Sequence, residues 1–336
     1  MSGLVTIKDI ARELKLAPST VSRALNDHPD INEKTRKLVK ETAQRLGYRI
    51  NRQAQGFRMS RSYNIGVVVP FLSEHFFSNI LSGIQEIISK EGYQVFVYQT
   101  NDDAHQEAEG IDALIGARVD GLLLSASQGS DSNRIKKLLD TGVPTVLFDR
   151  VWSDLGTSSV ETNDHQGCYL ATRHLLDKGC RKIAHLAGPA NLENSLNRRR
   201  GYEQALKEAG IEPSDSLVYV CDFDLSRGPE AVNKLLKAHP DLDGIVSVND
   251  ELAVEAILHL NSKGIDVPGA IKVVGFGDFP IARIVTPALT TMRHQPKQIG
   301  NEAARLLLDA IKNKDKKGAK AERKIIDVSL VERASS

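Results

Sequence analysis

Two short apolar stripes separated by a tight turn open this chain, and they restrict its first residues to a pair of packed helices. The first stripe begins with Ile7 and Ile10 and recurs at i, i+3, i+4 and i+7, as in a short amphipathic helix. Thr6, with Asp9 three residues later, is a variant of the capping box that begins such a helix. After the turn, Pro18 suits the first position of a second helix, because its missing N–H costs nothing there.

The second helix has an apolar side and a polar side. Val21, Ala24 and Leu25 form the apolar side. The residues expected to face outward are Ser19, Thr20, Ser22 and Arg23. A third helix begins after Asn32, a good N-cap, and ends at Gly47. This spacing predicts an all-α helix-turn-helix head, and the alternative is a plain three-helix bundle whose polar face is only solvated.

Charge is distributed unevenly along the chain. Residues 1–62 carry 13 Lys+Arg and 6 Asp+Glu, a net +7, while the remainder carries 31 and 37, a net −6, consistent with the overall +1. A basic head on an acidic body is expected where only one segment approaches phosphate. Candidates for phosphate contacts are Lys34, Arg36, Lys37, Arg49, Arg52, Arg58 and Arg61. Ser19 and above all Arg23 would read bases, since an arginine can bridge O6 and N7 of guanine.

The head contains the motif T-I-K-D-I-A-x-x-L-x-L-x-x-S-T-V-S-R-A-L-N-D, followed by T-R-x-x-V and L-G-Y. It resembles the LacI/GalR family of bacterial transcription regulators, and the resemblance extends along the whole chain. It implies a homodimeric regulator, expected to be a repressor, that binds a palindromic operator and responds to a small metabolite. Ala17 departs from the family, which often has a capping serine there. The DNA contacts expected in the head are Thr6, Pro18, Ser19, Thr20, Ser22, Arg23, Asn26 and Thr35.

Residues 51–62 form the expected linker, a basic and weakly helical segment that would order only with a partner. The resemblance implies a hinge helix that pairs with its dimer mate in the minor groove, with Phe57 at the wedge position. The expected DNA contacts of this hinge are Arg52, Ala54, Phe57 and Arg58. Gly56 costs a helix about 1 kcal/mol relative to alanine, so the hinge should depend on DNA to form. The alternative is a flexible tether whose Phe57 packs on the body.

From Asn64 onward, short apolar runs alternate with amphipathic helices in two successive series, the second beginning near Asp164. Continuous apolar strands between helices predict parallel sheets covered on both faces. The fold expected is an α/β body of two doubly wound parallel-sheet lobes, similar to type I periplasmic binding proteins. The predicted boundaries are 1–50 for the head, 51–62 for the linker, 63–162 plus 291–322 for the first lobe, and 163–290 plus 323–336 for the second.

Ligands of open α/β sheets bind beyond the carboxyl ends of the strands, so two facing lobes should form an effector cleft. Aromatic residues and a few polar groups follow the predicted strands, as in small-metabolite pockets. The expected effector contacts are Ser73, Phe76, Phe77, Ser125, Asp149, Arg198, Phe223, Asn249, Asp250 and Asp278. By resemblance, Asp149, Arg198 and Asn249 match effector-contacting positions of sugar- and purine-responsive members. Each of these residues alone could instead serve a salt bridge or a cap, and Asp250 could simply cap its helix.

The effector expected is a sugar or sugar derivative, with a nucleobase as the alternative, because a carboxylate and a bidentate arginine suit sugar hydroxyls or a carboxylate. The family usually has an acidic residue after Gly-Tyr or Gly-Phe near the last strand of this lobe. Here the chain reads Gly275-Phe276-Gly277-Asp278, so Gly277 stands at that position. Whether Asp278 substitutes for the missing carboxylate is left open by the sequence.

Motifs of catalysis are missing from the sequence: H-E-x-x-H, C-x-x-C, G-x-S-x-G, a Walker A run and a G-x-G-x-x-G after the first strand. We therefore expect neither an enzyme nor a cofactor or metal. Cys168, Cys180 and Cys221 should be reduced in a cytoplasmic, nucleoid-associated protein. The chain begins with a polar helix, which disfavours an exported sugar-binding protein of the same body fold. An architectural DNA binder would lack the polar cleft residues.

Overall fold

Three helices form the described part of the first of two units into which the chain divides, residues 1–62 and 63–336. The computed structural model describes residues 5–48, 61–152, 155–314 and 320–336. The helices are α1 (Ile7–Leu14), α2 (Pro18–Leu25) and α3 (Glu33–Arg45). The predicted caps are present: the Thr6 N–H donates to the Asp9 carboxylate at 2.9 Å, and Asn32 Oδ1 accepts the Thr35 N–H at 2.8 Å. The three helices pack around one apolar core, whose fully buried residues are Ile10, Val21, Ala24 and Val39.

The first lobe of the second unit is built on a six-stranded sheet in which every pairing is parallel. Its strands are β1 (Asn64–Val69), β2 (Gln94–Gln99), β3 (Gly121–Leu124), β4 (Thr145–Phe148), β5 (Ser158–Thr162) and β11 (Arg323–Ile326). They lie in the order β11-β5-β4-β3-β1-β2. One face packs against α4 (His75–Lys90) and α12 (Pro296–Lys312), the other against α5 (Ala104–Gly116) and α6 (Ser132–Asp140).

The second lobe repeats this design around the order β12-β10-β9-β8-β6-β7, in which only the β12–β10 pairing is antiparallel. Its strands are β6 (Ile183–Ala187), β7 (Val218–Val220), β8 (Gly244–Ser247), β9 (Lys272–Gly277), β10 (Thr290–Arg293) and β12 (Ser329–Val331). Its helices are α7 (Asp164–Asp177), α8 (Glu193–Glu208), α9 (Arg227–Ala238), α10 (Asp250–Ser262) and the short α11 (Ile281–Ile284). The first two cover one face of the sheet and the other three cover the opposite face.

The chain crosses between the lobes at three places, after β5, after β10 and after β11. The predicted boundaries differ from this at two of them. They assign Thr291–Arg293 to the first lobe and Arg323–Ile326 to the second, whereas β10 pairs with β9 and β11 pairs with β5. β11 and β12 follow each other in the chain but belong to different sheets. Strands of only three or four residues carry too little apolar pattern to indicate which sheet they join.

The doubly wound character of both lobes is confirmed, since apolar clusters lie on each face of each sheet. Cys168, Cys180 and Cys221 are buried and form no disulfide. None of the described helices is long and apolar enough to cross a membrane.

Candidate functional sites

The second helix of the head presents its polar side chains on the surface. The N-cap of α2 is Ala17, whose side chain provides no cap, so the helix depends on Pro18 at its first position. Exposed residues on α2 and at its C-cap are Pro18, Ser19, Arg23 and Asn26, and Thr20 and Ser22 are partly exposed. Val21 and Ala24 lie on the opposite, buried side. The Arg23 guanidinium forms no ion pair with any residue that the structure describes.

Other predicted DNA contacts have mixed surroundings. Thr6 is exposed, but its hydroxyl is bound to Asp9 at 2.7 Å, and Thr35 is half-buried at the start of α3. Lys34 and Lys37 are exposed. Arg36 was expected to contact phosphate, yet its guanidinium donates to the carbonyl oxygens of His28 and Ile31, which fixes the loop before α3. The hinge positions Arg52, Ala54, Phe57 and Arg58 lie outside the described residues, as do Arg49 and Gly56.

A cavity of about 190 Å³ lies between the lobes, where residues following strands of both sheets converge. Its lining residues are Glu74, Phe76, Phe77, Asp149, Arg150, Asn194, Arg198, Phe223, Leu225, Asn249, Glu251, Phe276, Phe279 and His294. The six predicted effector contacts among them are Phe76, Phe77, Asp149, Arg198, Phe223 and Asn249. We call this cavity the interlobe cleft.

Arg198 is the best-anchored polar residue of the interlobe cleft. Its side chain is buried, and Nε and Nη2 both lie 2.7 Å from Oδ1 of Asp164. Nη1 donates to the carbonyl oxygen of Val248, and Cζ lies 4.1 Å from the centre of the Phe276 ring. The guanidinium is therefore already committed to a carboxylate of the protein. As a result, it has fewer N–H donors left for bidentate hydrogen bonds to a carboxylate of a ligand.

Asp149 lies directly after β4 with a left-handed backbone, φ 61°. Its Oδ2 lies 3.5 Å from the Ser125 hydroxyl and 4.0 Å from Nε of Arg150. Burial raises the pKa of the Asp149 carboxyl, and the two arginines of the cleft oppose that rise. Phe223, on the second lobe, also has a left-handed backbone, φ 57°. Backbone strain of this kind clusters at functional sites, because the surrounding structure must hold it.

Aromatic rings form one wall of the cleft around His294. This imidazole is 8% exposed and meets the rings of Phe276 and Phe76 edge-on, with centroids 4.8 and 5.0 Å away. Burial holds the pKa of His294 well below its usual range, so the ring is neutral. Its Nε2 lies 3.4 Å from Nη2 of Arg198, which can only donate, so the ring proton is on Nδ1. That N–H is buried and has no hydrogen-bond partner among the described residues.

Four predicted effector contacts do not line the cleft. Ser73 is exposed, and Ser125 lies behind Asp149 as its hydroxyl donor. Asp250 accepts hydrogen bonds from the Phe279 N–H at 2.8 Å and from the Thr291 hydroxyl, so it organises the loop after β9. Burial raises the pKa of Asp250 to about 7, although these hydrogen bonds oppose the rise.

Asp278 does not replace the carboxylate that is missing at Gly277. Its side chain is buried among three arginines: Arg333 donates to Oδ1, while Nε of Arg293 lies 2.7 Å and Nη2 of Arg283 3.6 Å from Oδ2. Burial alone would raise the pKa of Asp278, but hydrogen bonds from Arg333 and Arg293 outweigh it and hold that pKa below the usual value. Asp278 thus joins the loop after β9 to the chain's last residues.

Space at Gly277 is already taken by an aromatic ring. A Cβ there would lie 3.0 Å from two carbons of the Phe279 ring and 3.1 Å from Oδ2 of Asp250. The structure therefore fills the position of the missing acid with Phe279, itself a lining residue.

Sequence reasoning missed eight lining residues: Glu74, Arg150, Asn194, Leu225, Glu251, Phe276, Phe279 and His294. Four of them directly follow a predicted contact in the chain, namely Glu74, Arg150, Glu251 and Phe279. The strand-end rule identified these loops correctly but not the side chain within each that faces the cleft. His294 follows β10, a strand end from which no effector contact was predicted.

Comparisons with known proteins agree with this geometry. The family model described as "Bacterial regulatory proteins, lacI family" matches residues 6–51, and "Periplasmic binding proteins and sugar binding domain of LacI family" matches residues 62–334. Catabolite control protein A of Priestia megaterium is 31% identical over 306 residues, which cover 90% of this chain and 91% of that protein.

Two solved structures are similar over almost the full length. The complex of the transcriptional regulator CelR with cellobiose is 29% identical, with a TM-score of 0.76 over 99% of this chain and 100% of that one. The lac repressor dimer bound to operator and the anti-inducer ONPF is 25% identical, with a TM-score of 0.89 over 99% of each chain. With its helix-turn-helix head and two-lobed sugar-binding-type body, this chain belongs to the LacI family of bacterial transcriptional regulators.

Proposed function

We propose that this LacI-family regulator represses transcription by binding a palindromic operator as a homodimer, and that a small metabolite in the interlobe cleft controls this binding. The observation that carries the proposal is a cavity of about 190 Å³ lined by aromatic and polar side chains of both lobes, on a chain with a helix-turn-helix head. We also infer a cytoplasmic protein without enzymatic activity, because the relatives compared are transcriptional regulators.

The exposed face of α2 is proposed to enter the major groove, with Ser19, Arg23 and Asn26 toward the bases. These three residues share one face of the helix, at i, i+4 and i+7. Lys34 and Lys37 would contact the phosphates. In the hinge, Arg52, Ala54 and Arg58 are proposed to contact DNA while Phe57 wedges into the minor groove.

Replacing Arg23 by alanine is expected to weaken the free energy of operator binding by about 1–3 kcal/mol. It should also remove the preference for a particular base at one symmetric pair of operator positions. An operator is first selected from random duplexes, and dissociation constants are then measured at constant salt on single-base variants of it. Arg12→Ala is the matched control, because Arg12 is also an exposed arginine of the head but lies on α1. Equal losses for Arg23→Ala on every sequence would show that it contacts only the backbone.

The effector proposed is a sugar or sugar derivative, with a nucleobase as the alternative. Phenylalanine rings can stack on the apolar face of a sugar ring, and Asp149, Arg150 and Asn249 can bond its hydroxyls. The complex of CelR with cellobiose shows that a relative takes a sugar.

Control would pass through the three crossings between the lobes, which allow the lobes to close around a ligand. Coupling of this kind amounts to about 1–3 kcal/mol per effector and is reciprocal. We expect a thermal-shift screen of sugars, sugar acids and nucleobases to find a ligand. Operator DNA should then change the affinity of the protein for this ligand by the same factor by which the ligand changes its affinity for operator. A ligand whose binding is abolished by Phe223→Ala binds in the cleft. If such a ligand leaves operator affinity unchanged, the proposed control is overturned.

Dimerisation is proposed through an apolar surface of the second lobe, formed by Leu258 on α10 and by Ile281 and Ile284 on α11. All three are exposed, and Ile284 is 78% exposed. The Asn261 side chain donates to the Thr286 carbonyl oxygen at 3.1 Å, which joins the end of α10 to the turn after α11. Contiguous exposed apolar residues mark interaction sites, and the relative seen with its operator is a dimer. We call these residues the α10–α11 patch.

A further inference from the structure

The interlobe cleft has cations and carboxylates, but its cations are already neutralised within the protein. Arg198 is paired with Asp164, and both side chains are about 5% exposed. Arg150 donates to the Asp102 carboxylate and lies 4.0 Å from Asp149. Each arginine that faces the cleft thus has a buried acidic partner.

Two further carboxylates face the same cleft from opposite lobes. Glu74 precedes α4 of the first lobe, and Glu251 lies in the first turn of α10 of the second. Neither forms an ion pair with any residue in the part of the chain that the structure describes. The lining therefore contains three acids, Glu74, Asp149 and Glu251, against two arginines, of which Arg198 pairs with Asp164 and Arg150 with Asp102 and Asp149.

The pKa values of these acids reflect their burial and their mutual repulsion. Burial raises the pKa of Glu74 to about 7; Arg150 opposes the rise, while Glu251 and Asp149 add to it. Burial likewise raises the pKa of Glu251. Carboxylates that lack a cation in a partly dry site hold their protons in this way.

We propose that the interlobe cleft takes an uncharged or cationic ring-shaped polyol, and that Glu74 and Glu251 exclude the phosphorylated and carboxylated forms of such a ligand. This inference rests on the proposed function and specifies its effector. A phosphate or carboxylate in the cleft would meet no uncommitted arginine, and it would be repelled by the ionised fraction of Glu74 and Glu251. Hydroxyls and ammonium groups, in contrast, donate hydrogen bonds to carboxylates.

The remaining lining groups suit the same ligand class. The His294 ring lines the cleft and is neutral, so it adds no positive charge that would attract an anion. The rings of Phe223 and Phe279 offer apolar faces to the C–H side of a sugar ring. Arg198 cannot offer a phosphate a free pair of N–H donors, because Asp164 already occupies two of them.

The test measures binding of matched sugar forms to the full-length protein by thermal shift and calorimetry. Each of a set of hexoses and pentoses is offered as the free sugar and as its terminal phosphate, each hexose also as its uronic acid, which keeps the ring, and glucosamine and galactosamine are included. We expect a free or amino sugar to bind, with its phosphate and acid at least about tenfold weaker. A phosphate or acid that binds more tightly than its parent sugar would overturn the inference while leaving the proposed control intact. If no form of any sugar or nucleobase binds, the proposed effector function fails, and this inference fails with it.

Charge removal tests the two residues directly. Glu74→Gln and Glu251→Gln should each reduce the preference for the free sugar over its phosphate by about tenfold, mainly by improving phosphate binding. Glu255→Gln is the matched control, since Glu255 lies on α10 one turn beyond Glu251 but outside the lining. Affinity for the free sugar reports whether each variant keeps the cleft intact. An unchanged sugar-to-phosphate ratio in both variants with an intact cleft would overturn the assignment.

Discussion

Arg198→Met is expected to destabilise the second unit by about 3–5 kcal/mol and to abolish effector binding, because it breaks a buried ion pair. Asp164 would remain buried without its cation, and the Val248 carbonyl oxygen and His294 would lose their donor. The methionine keeps much of the apolar contact with the Phe276 ring. Chemical denaturation of the full-length protein measures the loss of stability, and calorimetry with the ligand found in the screen measures binding.

The loss of stability in Arg198→Met should increase with pH. Burial already raises the pKa of Asp164 to about 6 against the pull of Arg198, and without that arginine the pKa rises further. A folded state that binds the proton more tightly than the unfolded chain loses stability as pH rises through that range. The deficit of Arg198→Met relative to the parent protein should therefore be small near pH 5 and grow toward pH 8.

Two companion variants separate the ion pair from other effects. Adding Asp164→Asn to Arg198→Met removes the unpaired charge, so most of the stability should return while effector binding stays lost. Arg199→Met alters the next residue of α8, whose side chain is 35% exposed and pairs with Glu203 and Asp215. This substitution should lower the free energy of unfolding by less than about 1 kcal/mol, as for surface ion pairs. If Arg198→Met and Arg199→Met cost the same, the Asp164 pair does not organise the cleft.

Local chemistry made the head predictable from sequence. The caps at Thr6 and Asn32 and the buried positions Val21 and Ala24 depend on neighbours within a few residues, so spacing alone indicates them. Arg36 shows the limit of this reasoning. A basic residue on a basic helix looks like a phosphate contact, and only the path of the preceding loop reveals that its donors bind backbone carbonyls.

The cleft was predictable as a place and less so as a set of side chains. Strand-end logic brought Asp149, Phe223 and Asn249 together from distant parts of the chain, since carboxyl ends of parallel strands share one edge. It failed at Asp278, because its partner Arg333 comes from the chain's last residues, whose path no periodicity indicates. Residues adjacent in sequence point in different directions, so Glu251 faces the cleft while Asp250 turns to the loop after β9.

Ile284→Glu is expected to convert the dimer into a monomer and to lower operator affinity by about 10²–10⁴-fold, because a monomer binds a half-site without the second head. Ile284 is the most exposed residue of the α10–α11 patch, so a charge there leaves the fold of one subunit intact but would be buried unpaired between two copies. Sedimentation equilibrium measures the assembly state, and titration of labelled operator measures affinity at constant salt.

The matched control for this variant is Ile325→Glu. Ile325 is 52% exposed on β11, at the edge of the first sheet opposite β2, and is not part of the α10–α11 patch. It should remain a dimer with parental operator affinity. Both variants should keep the thermal shift given by the cleft ligand, because neither residue lines the cleft. A dimer that persists in Ile284→Glu at low micromolar concentration would place the subunit interface elsewhere on the body.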